Sequence, residues 1–378
     1  MSQPLIQWND EQAMLADAVW SFVRARFPME TVRRLLESPD GFERDTWHEM
    51  GAMGWLGIAL PEAYGGSDLG LGSLACIMEA MGQNLGATPL LPSTLAMQAI
   101  LAAGSEAQRQ ALLPDLASGQ RIATVAFTEP HGSWELRQLH TTATMGKDGY
   151  VLHGTKRFVL DYSVADVVII AAQCQDLPAL FAVEKTALDK AQDRREIITD
   201  EGRRCFELKL DGVSIDSTCR LLGGDINHAM RHLELAGAFL LAADLLGAAN
   251  GALELTVDYA KTRKQFGHPI GSYQAIKHPL VDAMVGIELG RSLVYHAATT
   301  LATKEDKQAE IAVRMAKAHA NEVMAFMADR AVQFHGGMGF TYDCHASLYY
   351  RHSMWARHTF GDAIHHRRHL APLILRAP

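Results

Sequence analysis

The sequence predicts a multidomain α+β protein: a helical N-terminal domain, a central antiparallel β-barrel or sandwich, and a C-terminal four-helix bundle. Three observations lead there. Apolar residues recur at three- and four-residue spacing as far as Gly119, short β-branched and aromatic runs replace them from Arg121, and long helical patterns return at Ile226. The expected domains are residues 1–120, 121–225 and 226–378. With 378 residues and 48% hydrophobic content, the chain can bury cores of that number.

The N-terminal pattern starts at Trp8, where Met14, Leu15, Val19, Phe22 and Val23 alternate with charged residues. Breakers at Ser38–Gly41, Pro61–Gly66, Pro89–Ser93 and Ser118–Gly119 divide it into four to six helices. Seven or so strands follow, among them Val125–Thr128, Tyr150–His153, Arg157–Leu160, Val167–Ala171, Leu180–Val183 and Cys205–Leu210, with a turn at Gly146–Gly149. No helical pattern separates them, which favours antiparallel pairing, and no G-x-G-x-x-G follows a strand. Helices are then expected over Ile226–Arg263, Ser272–Leu301, Asp306–Phe334 and Asp343–His358, with one more near the C-terminus. The apolar stretch Leu235–Ala249 is Ala/Gly-rich and interrupted by Asp244, so it reads as a buried helix and not as a membrane span.

Bulk charge narrows the function classes. A net charge of −8 argues against a general nucleic-acid binder, which needs a basic face. The five cysteines are scattered and odd in number, so neither a disulfide framework nor a zinc site is expected. The histidines His352, His358, His365, His366 and His369 lack a metal spacing and read as a polar helix face. Residues Met1–Gln12 carry no export-type pattern, and a cytoplasmic location is the expectation.

Between the first two long helical patterns of the C-terminal region stands Arg263-Lys264-Gln265-Phe266-Gly267-His268-Pro269-Ile270-Gly271-Ser272-Tyr273-Gln274. Arg263 and Gln265 offer planar, multi-donor groups suited to a phosphate or nucleotide edge, and Phe266 offers a flat apolar face. Alone, the run reads first as a charged helix end followed by a turn. It resembles, however, the R-x-x-F-G-x-x-I-x-x-x-Q signature of acyl-CoA dehydrogenases, with Ile270 and Gln274 in register. Two further stretches are similar to that family. Gln333-Phe334-His335-Gly336-Gly337-Met338-Gly339-Phe340 matches Q-x-x-G-G-x-G-[FY], whose exposed N–H groups can cradle a diphosphate. Phe127-Thr128-Glu129-Pro130-His131-Gly132-Ser133 resembles the flavin-edge loop, shortened by one residue, with the usual Asp displaced to Trp134-Glu135. Lys156-Arg157-Phe158-Val159-Leu160-Asp161 falls where relatives place K-x-W-I-[TS]-N. The resemblance implies that Phe158 stacks on the flavin, while Leu160 removes a hydroxyl near flavin N5, a loss of about 1 kcal/mol.

The resemblance implies bound FAD, an acyl-CoA substrate oxidised between Cα and Cβ, an electron-transfer flavoprotein or similar acceptor, and assembly as a dimer of dimers. Its FAD contacts would be Arg263, Gln265, Phe266, Ile270, Gln274, Gln333, Gly336, Gly337, Phe127, Thr128, Ser133 and Phe158. The family's base is a glutamate at one of two positions, and here these hold Phe360 and Gly237. Asp362, two residues past Phe360, and Glu234, nearly one turn before Gly237, are the substitute candidates. The Phe360-Gly361-Asp362 text resembles bacterial chains that act on steroid-side-chain CoA thioesters as mixed assemblies. A heterotetramer in lipid or steroid catabolism, its partner completing the site, is therefore expected. A flavin oxidase on the same scaffold, or a non-catalytic subunit that completes an FAD site, are the alternatives; no nucleic acid, metal or membrane is implied.

Overall fold

The structure, a computed structural model, describes residues 10–147, 149–303 and 306–375. Trp8, where the helical pattern was read to start, and Asp148 in the expected Gly146–Gly149 turn lie outside the described residues. The chain divides into two compact units, Met1–Arg34 with Leu71–Gly86 and Ala238–Pro378, and Leu35–Gly70 with Ala87–Gly237.

Along the chain the N-terminal helices are α1 (Asp10–Arg26), α2 (Met29–Glu37), α3 (Arg44–Ala52), α4 (Leu74–Gln83), α5 (Leu90–Ala103) and α6 (Glu106–Ala117). The strands are β1 (Ala123–Ala126), β2 (Thr142–Met145), β3 (Gly149–His153), β4 (Thr155–Leu160), β5 (Val167–Cys174), β6 (Leu177–Glu184), β7 (Gln192–Glu196), β8 (Cys205–Lys209) and β9 (Val213–Asp216). Helix α7 (Ile226–Thr262) leads to the two-residue strands β10 (Lys264–Gln265) and β11 (His268–Pro269). Helices α8 (Gln274–Thr303), α9 (Asp306–His335), α10 (His345–Ala356) and α11 (Ala363–Leu375) complete the chain. This is the expected order of helices, sheets and helical bundle.

In the second unit the strands form two sheets, β1-β5-β2-β3-β9 with β6 on β5, and β4-β8-β7. One apolar cluster unites them, drawing Val168, Ile170 and Phe181 from the first sheet and Val159, Phe206 and Leu208 from the second. Two sheets over one apolar cluster make a sandwich, one of the two forms, barrel or sandwich, that the β-branched runs predict. The strands pair antiparallel except β1 with β5 and β2 with β5, which are parallel. Run composition does not report strand direction; the direction follows from β5 returning beside β1 after an excursion through three other strands.

In the first unit, α8, α10 and α11 pack on α9, whose inward face is built from Ala312, Ala316, Ala320, Met324, Met327 and Ala331. Small residues let the backbones approach closely. A Cβ on Gly247 of α7 would stand 1.8 Å from the Glu79 carbonyl of α4, and one on Gly82 would stand 2.0 Å from the Asp244 carbonyl. The apolar centre of α7 is buried, as its Ala/Gly content predicts.

Candidate functional site

The residues singled out by the sequence fall in both units. In the first unit, Arg263 follows the last turn of α7, its N–H donating to the Tyr259 carbonyl at 2.8 Å. Gln265 and His268 then close a two-residue hairpin with Phe266 and Gly267 at its tip. Both tip residues have positive φ, 54° and 84°, the requirement of a type I′ turn. Phenylalanine is an unfavourable choice there, since a Cβ in the left-handed region costs about 1–2 kcal/mol. Its ring is 90% exposed and is edged by Tyr273, at 6.4 Å between centroids. Tyr273 also donates its hydroxyl to the Gln265 carbonyl at 3.1 Å, fastening the hairpin to the approach of α8. Ile270 is half-buried, and Gln274 is the exposed first residue of α8.

The Gln333–Gly339 run ends α9. Gln333, Gly336 and Gly337 are exposed, and Gly336 has φ +63°. Neither glycine of the pair has an atom within 4 Å of where a Cβ would lie, whereas Gly339 is packed 2.1 Å from the Val332 carbonyl by the same measure. The pair thus presents open backbone, while the third glycine serves packing. One contact brings the two runs together: the Tyr259 ring stacks on the buried His335 ring at 4.3 Å and 24°. Tyr259 lies one turn before Arg263, and His335 immediately precedes Gly336.

Phe360, where the resemblance implies a glutamate, has φ +54°, and Gly361 beside it has φ +97°. A fully buried lysine holds this turn. Lys317 Nζ donates to Asn321 Oδ1 at 2.8 Å, to the Gly361 carbonyl at 3.1 Å and to the Ala356 carbonyl at 3.2 Å. Burial pushes Lys317 down to about 7, with the Asp244 and Asp362 charges acting against that shift. Asp244 itself lies 2.6 Å from His352 Nε2, both buried. Asp362 caps α11, its Oδ1 accepting the His365 N–H at 2.7 Å.

In the second unit, the Phe127–Ser133 loop follows β1. Phe127 is buried, Thr128 and Ser133 are half-buried, and the Thr128 carbonyl accepts the Arg157 N–H at 2.9 Å. Ser133 Oγ meets Gln138 Oε1 at 2.8 Å and accepts the Glu135 N–H at 3.1 Å. Glu129 anchors the loop from inside: Lys156 Nζ lies 2.6 Å from its Oε1, and the His140 and Thr141 N–H groups bond it at 2.6 and 3.0 Å. Burial alone would raise the Glu129 carboxyl; the Lys156 charge and these hydrogen bonds outweigh it and hold the group below the usual range. Burial moves Lys156 down, the Glu129 charge acting in opposition.

Phe158 sits at a bulge in β4 where the register against β8 shifts. Its φ of 54° turns the ring outward, half exposed, under the Arg157 guanidinium at 5.0 Å. Glu196 fixes the bulge by accepting the Phe158 N–H at 2.6 Å and by pairing with Arg157. Leu160 is buried, and its carbonyl accepts the Thr124 hydroxyl. Glu234 Oε1 accepts the Leu136 N–H at 2.6 Å, tying α7 to the segment after the loop.

Sequence reasoning missed Lys317 and Tyr259, and it gave no role to Lys156 and His335, which stand inside the quoted motifs. A buried lysine looks like a surface charge until its partner is known, and the Glu129–Lys156 partners are 27 residues apart. The alternation in β4 could have exposed Lys156, since it shares a face parity with Phe158 only if no bulge intervenes.

Residues 9–120 match the family described as acyl-CoA dehydrogenase, N-terminal domain, and residues 226–374 match acyl-CoA dehydrogenase, C-terminal domain. A protein of Bacillus subtilis named acyl-CoA dehydrogenase is 33% identical over 349 residues, covering 89% of this chain and 90% of that one. Among solved structures, a variant of the Tcur3481-Tcur3483 steroid ACAD is 31% identical with a TM-score of 0.87, covering 97% of this chain and 98% of its own. The ChsE4-ChsE5 complex from Mycobacterium tuberculosis is 28% identical with a TM-score of 0.88, covering 98% and 99%.

Proposed function

Since the chain belongs to the acyl-CoA dehydrogenase family, we propose that it is an FAD-dependent enzyme of α,β-dehydrogenation working as one subunit of a heteromer on a bulky, steroid-type CoA thioester. The observation that carries this reading is the clamped Phe360 turn: the family's glutamate position holds an apolar residue whose neighbour is fixed by a buried lysine. A base supplied by a second, unlike subunit supplies what this chain lacks. The likeness to a steroid ACAD and to a two-protein complex favours the same arrangement.

The residues present fit FAD. Gly336 and Gly337 are exposed with open space around them, a stretch of backbone that a diphosphate could approach closely. Phe158 and Phe266 hold exposed aromatic faces on strained backbone, a pattern that marks ligand contacts. Arg263 and Gln265 add charge and hydrogen-bonding capacity on one chain, and the Phe127–Ser133 loop of another chain completes the site. Bound there, FAD would supply the two-electron acceptor of the dehydrogenation. Asp362 and Glu234 each hold a backbone N–H, which makes them positioning groups first and candidate bases second. An electron-transfer flavoprotein is the proposed acceptor, the cytoplasm the proposed location, and residues 1–120, 121–225 and 226–378 the proposed domains.

The experiment purifies the chain alone and with each co-expressed homologue, and follows flavin reduction by a panel of acyl-CoA thioesters that includes steroid side chains. Turnover is expected only with a partner. Full turnover by the chain alone overturns the heteromer, and its loss in Asp362→Asn would then identify the base. Arg263→Ala is expected to lose flavin without unfolding; unchanged flavin content removes that assignment.

A further inference from the structure

Three side chains of the second unit meet in a way that neither the ion pair nor the flavin reading uses. Glu129 is buried, while His131 and His140 are exposed, one on the Phe127–Ser133 loop and the other two residues before β2. Their rings lie face to face, 4.2 Å apart at 30°. His131 Nδ1 is 3.7 Å from Glu129 Oε2, and the donor atoms of all three residues lie within 4.8 Å of one another. Among the described residues they are the one set of three such side chains this close.

We propose that Glu129, His131 and His140 form a binding site for a zinc-class divalent cation. Two imidazoles and one carboxylate are a donor set that such ions favour. An ionised carboxylate has about four lone-pair positions. Lys156 and the Thr141 N–H take those of Oε1, and the His140 N–H takes one of Oε2. The remaining position of Oε2 is on the atom that approaches His131. The partners of Glu129 also fix its direction, the task of groups that stand behind a metal ligand. Donors around a tetrahedral zinc stand ~3.3–3.5 Å apart, so the exposed imidazoles must swing inward by about 1 Å. Both residues are exposed, so such a rotation need not displace the core. The two histidines are nine residues apart, and their approach depends on the loop folding back onto the start of β2. No spacing rule detects this, and the sequence reading of an absent metal site weighed only the C-terminal histidines and the cysteines.

The test titrates Zn2+, by calorimetry, and Co2+, by visible absorption, into the chelator-treated full-length chain. One equivalent per chain is expected, with ligand-field bands from nitrogen and oxygen donors. H131Q and H140Q are each expected to weaken binding by at least about tenfold, the loss that even an outer partner's removal brings. H228Q, at an exposed histidine on α7, is expected to change nothing. Circular dichroism confirms that the variants are folded. Absence of saturable binding overturns the site and leaves an imidazole–carboxylate contact only. Stoichiometric binding that survives H131Q and H140Q together overturns it equally and places the ion elsewhere.

Discussion

Phe266 shows how one side chain can be at odds with its own backbone. A type I′ turn favours asparagine followed by glycine, and this hairpin has the glycine but not the asparagine. Phe266→Asn is therefore expected to stabilise the chain by up to about 1 kcal/mol in urea unfolding, the lower end of the left-handed penalty. Flavin retention is expected to fall in the same variant. If stability rises while flavin content is unchanged, the ring has no part in the cofactor site. Glu129 and Lys156 give the opposite case, two residues that agree with their surroundings only together. Lys156→Met leaves an unpaired buried carboxylate and should lower the unfolding free energy by about 3–5 kcal/mol. Adding Glu129→Gln should recover part of that loss, and the double-mutant cycle measures the coupling. The run around Phe266 stood out in the sequence because its motif is local. The ion pair did not, because its partners stand 27 residues apart and a lysine's burial does not show in a local run.

Among the elements, the turn after α9 separates structure from ligand by its glycines. Gly339→Ala should destabilise the chain, since its Cβ would stand 2.1 Å from the Val332 carbonyl. Gly337→Ala meets no atom within 4 Å and should leave the melting temperature unchanged while reducing bound flavin. Equal flavin content in wild type and Gly337→Ala would mean that the exposed backbone does not approach a diphosphate. The turn after α10 adds a pH dependence. Lys317 is held near 7 in the folded chain against an ordinary lysine value of 10.5, so between those values the unfolded chain carries the extra proton. Stability then rises with pH across that window, by up to about 1.4 kcal/mol per pH unit. Denaturation at pH 7 and pH 9 should show the rise in wild type and its loss in Lys317→Met; parallel slopes would remove the assignment. The C-terminal helices matched the 3.6-residue pattern to within a few residues, because Gly, Pro and Asp mark their ends. The parallel β1–β5 pairing was not legible, since short apolar runs carry no information on strand direction.

At the scale of the molecule, α8 has two apolar faces where a helix in a lone chain needs one. Leu280, Ala283, Ile287 and Val294 are buried in the first unit. Val281, Met284, Val285 and Leu289 recur on another side of the helix, each about half exposed. A contiguous apolar stripe of this kind marks an association surface. It starts two turns after Gln274, the end of the run whose resemblance implies contact with a neighbouring subunit's FAD, so a second subunit of this fold is the occupant that fits it. Val285→Asp places a charge in the stripe without touching the buried face. It is expected to shift the assembly to monomer in light scattering at unchanged helicity. If the site is shared as proposed, flavin should be lost together with association, because a site made by two chains cannot form on one. Monomers that keep a full complement of flavin would refute a site shared between subunits, while leaving the family membership untouched.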